Sequence, residues 1–259
     1  MLLSVVLPFE DGREALRWLR GDLVHRYVLA LIQARDPALS AALHRDARHK
    51  PFTAALLRSD NGHGACLRLT ALDGPVAAQF DVLSDPPPVT CDGRAFAFAG
   101  VSRSHPLACR SDPGTLWRVS LHGPAVPPRV RLRFVTPTAF DSPTGLFPLP
   151  ALVCASLGRK WARQADPAWA PEASAVEALG AALRVVRHDL RTERVSLGRY
   201  HATGFTGECD LALLPGAPPV LARLLHLLAG FAFYAGVGLK TTMGMGQVRP
   251  GRVHAGGGA

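Results

Sequence analysis

The chain has 259 residues, 48% of them hydrophobic, enough to bury one large core or two ordinary ones. Its 29 Lys+Arg outnumber 20 Asp+Glu, and the resulting charge of +9 suits a polyanionic partner better than a basic or purely apolar one. The five cysteines (Cys66, Cys91, Cys109, Cys154 and Cys209) are odd in number, scattered, and never in a C-x-x-C pair, which argues against a zinc site or a disulfide framework.

The first residues, Met1-Leu-Leu-Ser-Val-Val-Leu-Pro, lack a basic leader region and carry too short an apolar run for a secretion signal, so a cytoplasmic, reduced protein is expected. Residues 2–7 are predicted as a strand ended by Pro8. A helix is predicted over 13–34, because Leu16, Leu19, Leu23, Tyr27, Ala30 and Leu31 keep the 3.6-residue period. Asp36-Pro37 is an N-cap followed by a first-turn proline and opens a short helix to about residue 45. Strands are expected over 52–57 and 65–71, with further short strands near 76–83 and 95–101. The order β-α-β-β followed by more β suits a ferredoxin-like sandwich.

Gly123-Pro-Ala-Val-Pro127-Pro128 blocks both helix and ladder and is expected to separate a domain over 1–123 from one over 129–253. Beyond it, Arg129, Arg131 and Arg133 alternate with Val130, Leu132 and Phe134, placing three arginines on one strand face, where they meet either solvent or an anion. Helices are predicted over 151–164 and 173–182, strands near 195 and over 208–213, and a helix over 220–235. In that last helix Arg223 and His226 interrupt the apolar run, so no membrane span is expected. The second half is again β-α-β-β-α-β. The predicted fold class is α+β, with two tandem ferredoxin-like (RRM-like) domains.

After the last helix, Gly236-Val-Gly238-Leu-Lys240-Thr-Thr-Met-Gly244-Met-Gly246 concentrates four glycines, a lysine and two threonines. Glycine allows close backbone approach to a ligand, and N–H groups beside Lys240, Thr241 and Thr242 suit a phosphate. The G-x-x-x-x-G-K-[ST] spacing of a nucleotide-triphosphate loop is absent, since Leu239 separates Gly238 from Lys240. A polynucleotide backbone is the better fit, with Gly236, Gly238, Lys240, Thr241, Thr242, Gly244, Gly246 and the three strand arginines as candidate RNA contacts.

The segment from Ala235 to Val248 resembles the C-terminal signature of the RAMP superfamily of RNA-binding CRISPR proteins. Leu43-His44 with Lys50-Pro-Phe-Thr, Arg131-Leu-Arg-Phe-Val-Thr-Pro-Thr and Gly204-Phe-Thr-Gly-Glu are similar to segments of its repeat-processing endoribonucleases, the Cas-six family, in that order. The resemblance implies two ferredoxin-like domains and metal-independent cutting of precursor CRISPR RNA within its repeats, with no cofactor. It places a tyrosine in the first helix, a histidine after it and a lysine before Pro51-Phe52. These roles fall on Tyr27, His44 and Lys50, with His49 as the main competitor to His44 and His25 as a weaker one. The implied partner is CRISPR repeat RNA; a CRISPR effector complex and a second copy of the chain stay open as further partners, and a non-catalytic RNA-holding subunit stays open as the alternative function.

Such chemistry is consistent with the residue types. The RNA 2′-hydroxyl attacks the adjacent phosphorus, a histidine takes or gives a proton, and a lysine stabilises the charge that develops. The expected products carry a 2′,3′-cyclic phosphate and a 5′-hydroxyl. No carboxylate pair or His/Asp cluster has metal-ligand spacing.

Overall fold

The computed structural model describes residues 1–46, 50–59, 64–141 and 146–251. The chain forms two compact units. The first comprises Met1–Asp112 together with Arg194–Ala202 and Lys240–Met245, and the second the rest of the described chain. The division follows Asp112, ahead of the proline-rich segment that the sequence pointed to.

The first unit opens with β1 (Leu2–Pro8), and its sheet adds β2 (Phe52–Arg58), β3 (Ala65–Ala71) and β6 (Cys109–Ser111) in the order β2-β3-β1-β6, with β1 antiparallel to both of its neighbours. Val5 faces Leu69 and Leu69 faces Ala54, and every residue of β3 is buried. Arg68 is the one charge within that strand, and its Nε donates to Ser4 Oγ at 3.0 Å, which satisfies one of its buried donors.

The helix expected over 13–34 is two helices, α1 (Gly12–Trp18) and α2 (Gly21–Arg35). Leu19 and Arg20 turn to extended backbone between them. A Cβ on Gly21 would lie 2.1 Å from the Met243 carbonyl oxygen, so α2 starts in direct contact with residues 240–245. Then α3 (Pro37–Arg45) begins where the sequence placed it, with the Asp36 carboxylate accepting from Leu39 N at 2.9 Å.

Residues 76–83, expected as a strand, instead lie largely in a helix, α4 (Gly74–Asp81). The Asp73 carboxylate accepts from Val76 N, and Pro75 sits in the first turn. Val76, Ala77 and Phe80 then share the buried face. This helix completes a βαββαβ unit. The strand expected over 95–101 is only partly formed. A small hairpin of β4 (Val89–Cys91) and β5 (Arg94–Phe96) is followed by single bridges from Phe98 to Phe9 and from Ser102 to Val6.

The second unit contains α5 (Pro113–His122), β7 (Arg129–Thr138), α6 (Pro150–Gln164), α7 (Ala173–Ala182), β8 (Leu183–Ser196), β9 (His201–Leu213), α8 (Pro219–Ala235) and β10 (Val248–Gly251); the tip of the β8–β9 hairpin counts with the first unit. Its strand order, β10-β7-β9-β8, repeats the ferredoxin-like order of the first sheet. Trp161 meets Phe231 edge-on at 5.0 Å and Phe134 meets Phe205 at 4.9 Å, which locks α6, α8 and the sheet into one core. α5 is tied to this unit by Arg223, whose Nη1 donates to the carbonyls of Ser120 and Gly123. Among the described residues no helix is long and apolar enough to cross a membrane.

Alternation along β7 is as expected, with Val130, Leu132 and Phe134 buried. Its arginines are not a free basic face. Arg131 forks onto Asp210 of β9 through Nε (2.6 Å) and Nη2 (2.9 Å), and Arg129 pairs with the same carboxylate, which is only 1% exposed. Two guanidinium groups hold the Asp210 carboxyl below the usual aspartate range, Arg131 foremost. Removing one partner strands the others, so Asp210→Ala is expected to lower Tm by roughly 6–12 °C, the size of breaking a buried ion pair. Because the folded pKa is depressed, this stabilisation is present above the unfolded aspartate value and is lost as pH falls through the lower folded one. A thermal melt of Asp210→Ala within 2 °C of the parent, about the scale of a surface substitution, would contradict it.

Candidate functional site

The glycine-rich segment is a built turn. Lys160 of α6 fixes its start, because its Nζ donates to the Ala235 and Gly236 carbonyls at 3.1 and 3.0 Å and so caps α8. Desolvation, with Arg159 adding to it, pulls that amine down to about 7. Val237 N donates to Gly246 O, closing the base of the turn. Gly238 has φ +77° and a Cβ there would meet Ala139 O at 2.2 Å, so only glycine fits. The N–H groups of Gly236, Gly238 and Gly246 are consumed by Ala232 O, Ser156 Oγ and Pro137 O. These glycines therefore shape the turn and offer no N–H to a phosphate. The N–H groups of Lys240, Thr241 and Thr242, by contrast, have no acceptor among the described residues. Lys240 is left-handed at φ +53° and exposed, at the head of a short 3-10 turn, Thr241–Met243.

Within the first unit this turn lies against α2. His25, half-buried on α2, stacks on Phe52 of β2 with ring centroids 5.9 Å apart and planes 19° apart. Its pKa is lowered, first by burial, then by the charge of Lys50, with His44 and Lys240 adding to the depression and a hydrogen bond to the Thr242 backbone opposing it. Its Nδ1 has no hydrogen-bond partner among the described residues. His44 is exposed on the last turn of α3. Lys50 returns to the same helix end, its Nζ donating to Leu43 O at 2.7 Å, which pins the ammonium beside His44. Burial lowers the Lys50 pKa and Asp46 opposes the shift. Lys50, His44 and Lys240, from three separate segments, thus all act to lower the pKa of one half-buried imidazole. Such surroundings favour the uncharged form of the imidazole over the imidazolium.

His44, Lys50, Lys240 and Thr242 all act on His25: three of them as charges and Thr242 through its backbone. Tyr27 is placed elsewhere. Its hydroxyl donates to Pro87 O at 2.9 Å, its ring lies against Phe98, and it lines a different cavity with Arg26, Arg35 and the Pro87–Pro88 segment. Burial raises its phenol above the usual tyrosine range, with Arg35 opposing. His49 lies outside the described residues. Arg129 and Arg131 are committed to Asp210, and only Arg133 of that trio stays exposed without a bond of this kind. Of the three histidines, His25 carries the weakest signal in the sequence. That signal is position: it lies three residues before Val28, on the edge of the buried stripe of α2, where a titratable group is half-desolvated.

Residues 132–248 match the family model of the CRISPR-associated endoribonuclease Cas6. The chain is 28% identical over 123 residues to the CRISPR-associated endoribonuclease Cas6 of Mycobacterium tuberculosis, a match covering 47% of this chain and 38% of that protein. In structure it is similar to the product complex of a Thermus thermophilus Cas6, with TM-score 0.79, 28% identity, and coverage of 96% of this chain and 100% of that one. A second Cas6 product complex gives TM-score 0.80 at 24% identity, over 97% and 99% of the two chains. The likeness to the Cas-six family read from the motifs therefore extends, in structure, over nearly the whole chain.

Proposed function

We propose that this chain binds CRISPR repeat RNA and cuts it within the repeat, with the RNA 2′-hydroxyl as nucleophile. The observation that carries the reading is a half-buried His25 whose pKa is lowered by Lys50, His44 and Lys240, with Lys50 held on the end of α3 by Leu43 O, in a chain whose fold matches Cas6 product complexes. In the reaction the 2′-oxygen bonds to phosphorus as its proton passes to His25. The bond from phosphorus to the 5′-oxygen breaks, and His44 supplies the proton that the leaving oxygen needs. Lys50, fixed by Leu43 O, and Lys240 offset the charge that builds on the phosphoryl oxygens. The products are a 2′,3′-cyclic phosphate and a 5′-hydroxyl. Tyr27, bonded to Pro87, supports α2 in this reading and does not touch the substrate.

No group of three or more His, Cys, Asp or Glu residues able to hold a metal ion occurs among the described residues. The test is cleavage of a synthetic repeat RNA by the purified chain in excess EDTA. Cutting at one position supports the proposal. Tight binding without cutting assigns the chain instead to RNA-holding subunits, and cutting abolished by EDTA calls for a metal route.

Lys240 should also contribute to affinity. Lys240→Ala is expected to weaken repeat binding and to reduce the slope of log K against log salt by about one counterion. Filter binding across a salt series measures both, and an unchanged affinity and slope would remove Lys240 from the interface.

A further inference from the structure

Tyr200 is the one tyrosine left exposed. Tyr234 is buried in α8 and the Tyr27 hydroxyl is bonded to Pro87, whereas the Tyr200 ring is 45% accessible. It sits on the β8–β9 turn, which the first unit holds firmly. Leu197 N donates to Tyr200 O at 2.9 Å, and a Cβ on Gly198, at φ +89°, would meet the Asp22 carboxylate of α2 at 2.5 Å. The phenol is anchored too, with its Oη 3.8 Å from Met243 Sδ. Lys240 Nζ lies 5.8 Å from the ring centroid, and Arg199 and Arg26 line the same open depression beside it. The Asp22 carboxylate lines the depression as well and pairs with Arg26 at 3.5 Å, which leaves Lys240 and Arg199 as the cations nearest the ring to take flanking phosphates. An aromatic face fixed at its rim and exposed on one side beside such cations is the arrangement that stacks a base.

We infer that Tyr200 is a stacking platform for one nucleobase of the RNA substrate, placed next to the cleavage group by Lys240. The assignment rests on the RNA-processing reading and deepens it, since it names a residue that fixes which nucleotide lies at the site. Because the ring is held before RNA arrives, little rotamer entropy is lost on binding, so truncation should weaken affinity appreciably.

The test is a binding and cleavage series with the parent, Tyr200→Leu, Tyr200→Phe and Tyr200→Trp, on repeat RNA and on repeat RNAs each carrying a single abasic nucleotide. Tyr200→Leu is expected to bind roughly 10-fold more weakly, with Phe and Trp close to the parent and the salt slope unchanged. One abasic position should weaken the parent by a similar factor and show no further loss with Tyr200→Leu. If Tyr200→Leu binds as the parent does, or if its loss is the same on every abasic RNA, Tyr200 is not a base platform, although the RNA-processing reading stands. If the parent itself fails to bind repeat RNA, that reading falls and this one with it.

Discussion

His44→Ala and His25→Asn are each expected to slow single-turnover cleavage of repeat RNA by about 10²-fold or more, the usual cost of losing a proton-transfer group. Repeat affinity should change far less, since many phosphate contacts share it. The two variants differ in how they could mislead. His44 is exposed, so its removal should leave the fold intact. His25 stacks on Phe52 and is half-buried, so a melting curve must accompany that variant. The replacement is Asn rather than Ala to keep a polar side chain where the Thr242 backbone is met. The sign of the pH dependence follows from the same surroundings. Burial and the nearby charges lower the His25 pKa, so the neutral, proton-accepting form persists below the ordinary histidine value, and the acid limb of the cleavage profile should lie below about pH 6.5. His49→Ala is expected to cut normally. A larger loss from His49→Ala than from His44→Ala would transfer the acid's role to His49, and normal cutting by both His25→Asn and His44→Ala would remove the site altogether.

Much of the fold is legible along the chain because it is written locally. The alternation of Val130, Leu132 and Phe134 gives β7, Asp36-Pro37 gives the start of α3, and the apolar segment ending at Gly236 gives α8. The miss at α4 is also local. Its apolar positions span barely two turns, too few to separate a helical from an alternating period, and the deciding signal was the Asp73 cap with Pro75. Other features belong to distant partners. The glycine that opens α2 answers to Met243, and Asp210, on a strand far from β7 in sequence, neutralises arginines that the alternation alone leaves free. The candidate site is of this second kind. His44 and Lys50 are legible as a spaced pair, but His25 gains its character only when Lys50, Lys240 and Thr242 are folded around it. The glycine-rich segment folds as a turn in which its backbone donors divide into two groups. Gly236, Gly238 and Gly246 spend their N–H groups inside the protein, whereas those of Lys240, Thr241 and Thr242 have no acceptor among the described residues.

A repeat RNA with one 2′-deoxy nucleotide immediately upstream of the cut should bind with the affinity of the unmodified strand and resist cleavage almost completely. Binding survives because every phosphate and base is unchanged, so the groups around Lys240 and Tyr200 meet the same substrate. In the proposed mechanism cleavage fails because the missing hydroxyl would be the nucleophile itself, a loss that no protein side chain can make good. A deoxy substitution one nucleotide downstream of the cut is the control and should be cut normally. The measurement is a single-turnover time course of the three strands side by side in EDTA, with the 5′ end of the downstream product identified. The account predicts cutting of the unmodified and control strands only, with a 5′-hydroxyl on the product. Efficient cutting of the upstream-deoxy strand would mean that water attacks, and it would contradict the proton-transfer roles of His25 and His44 and the charge-stabilising role of Lys50.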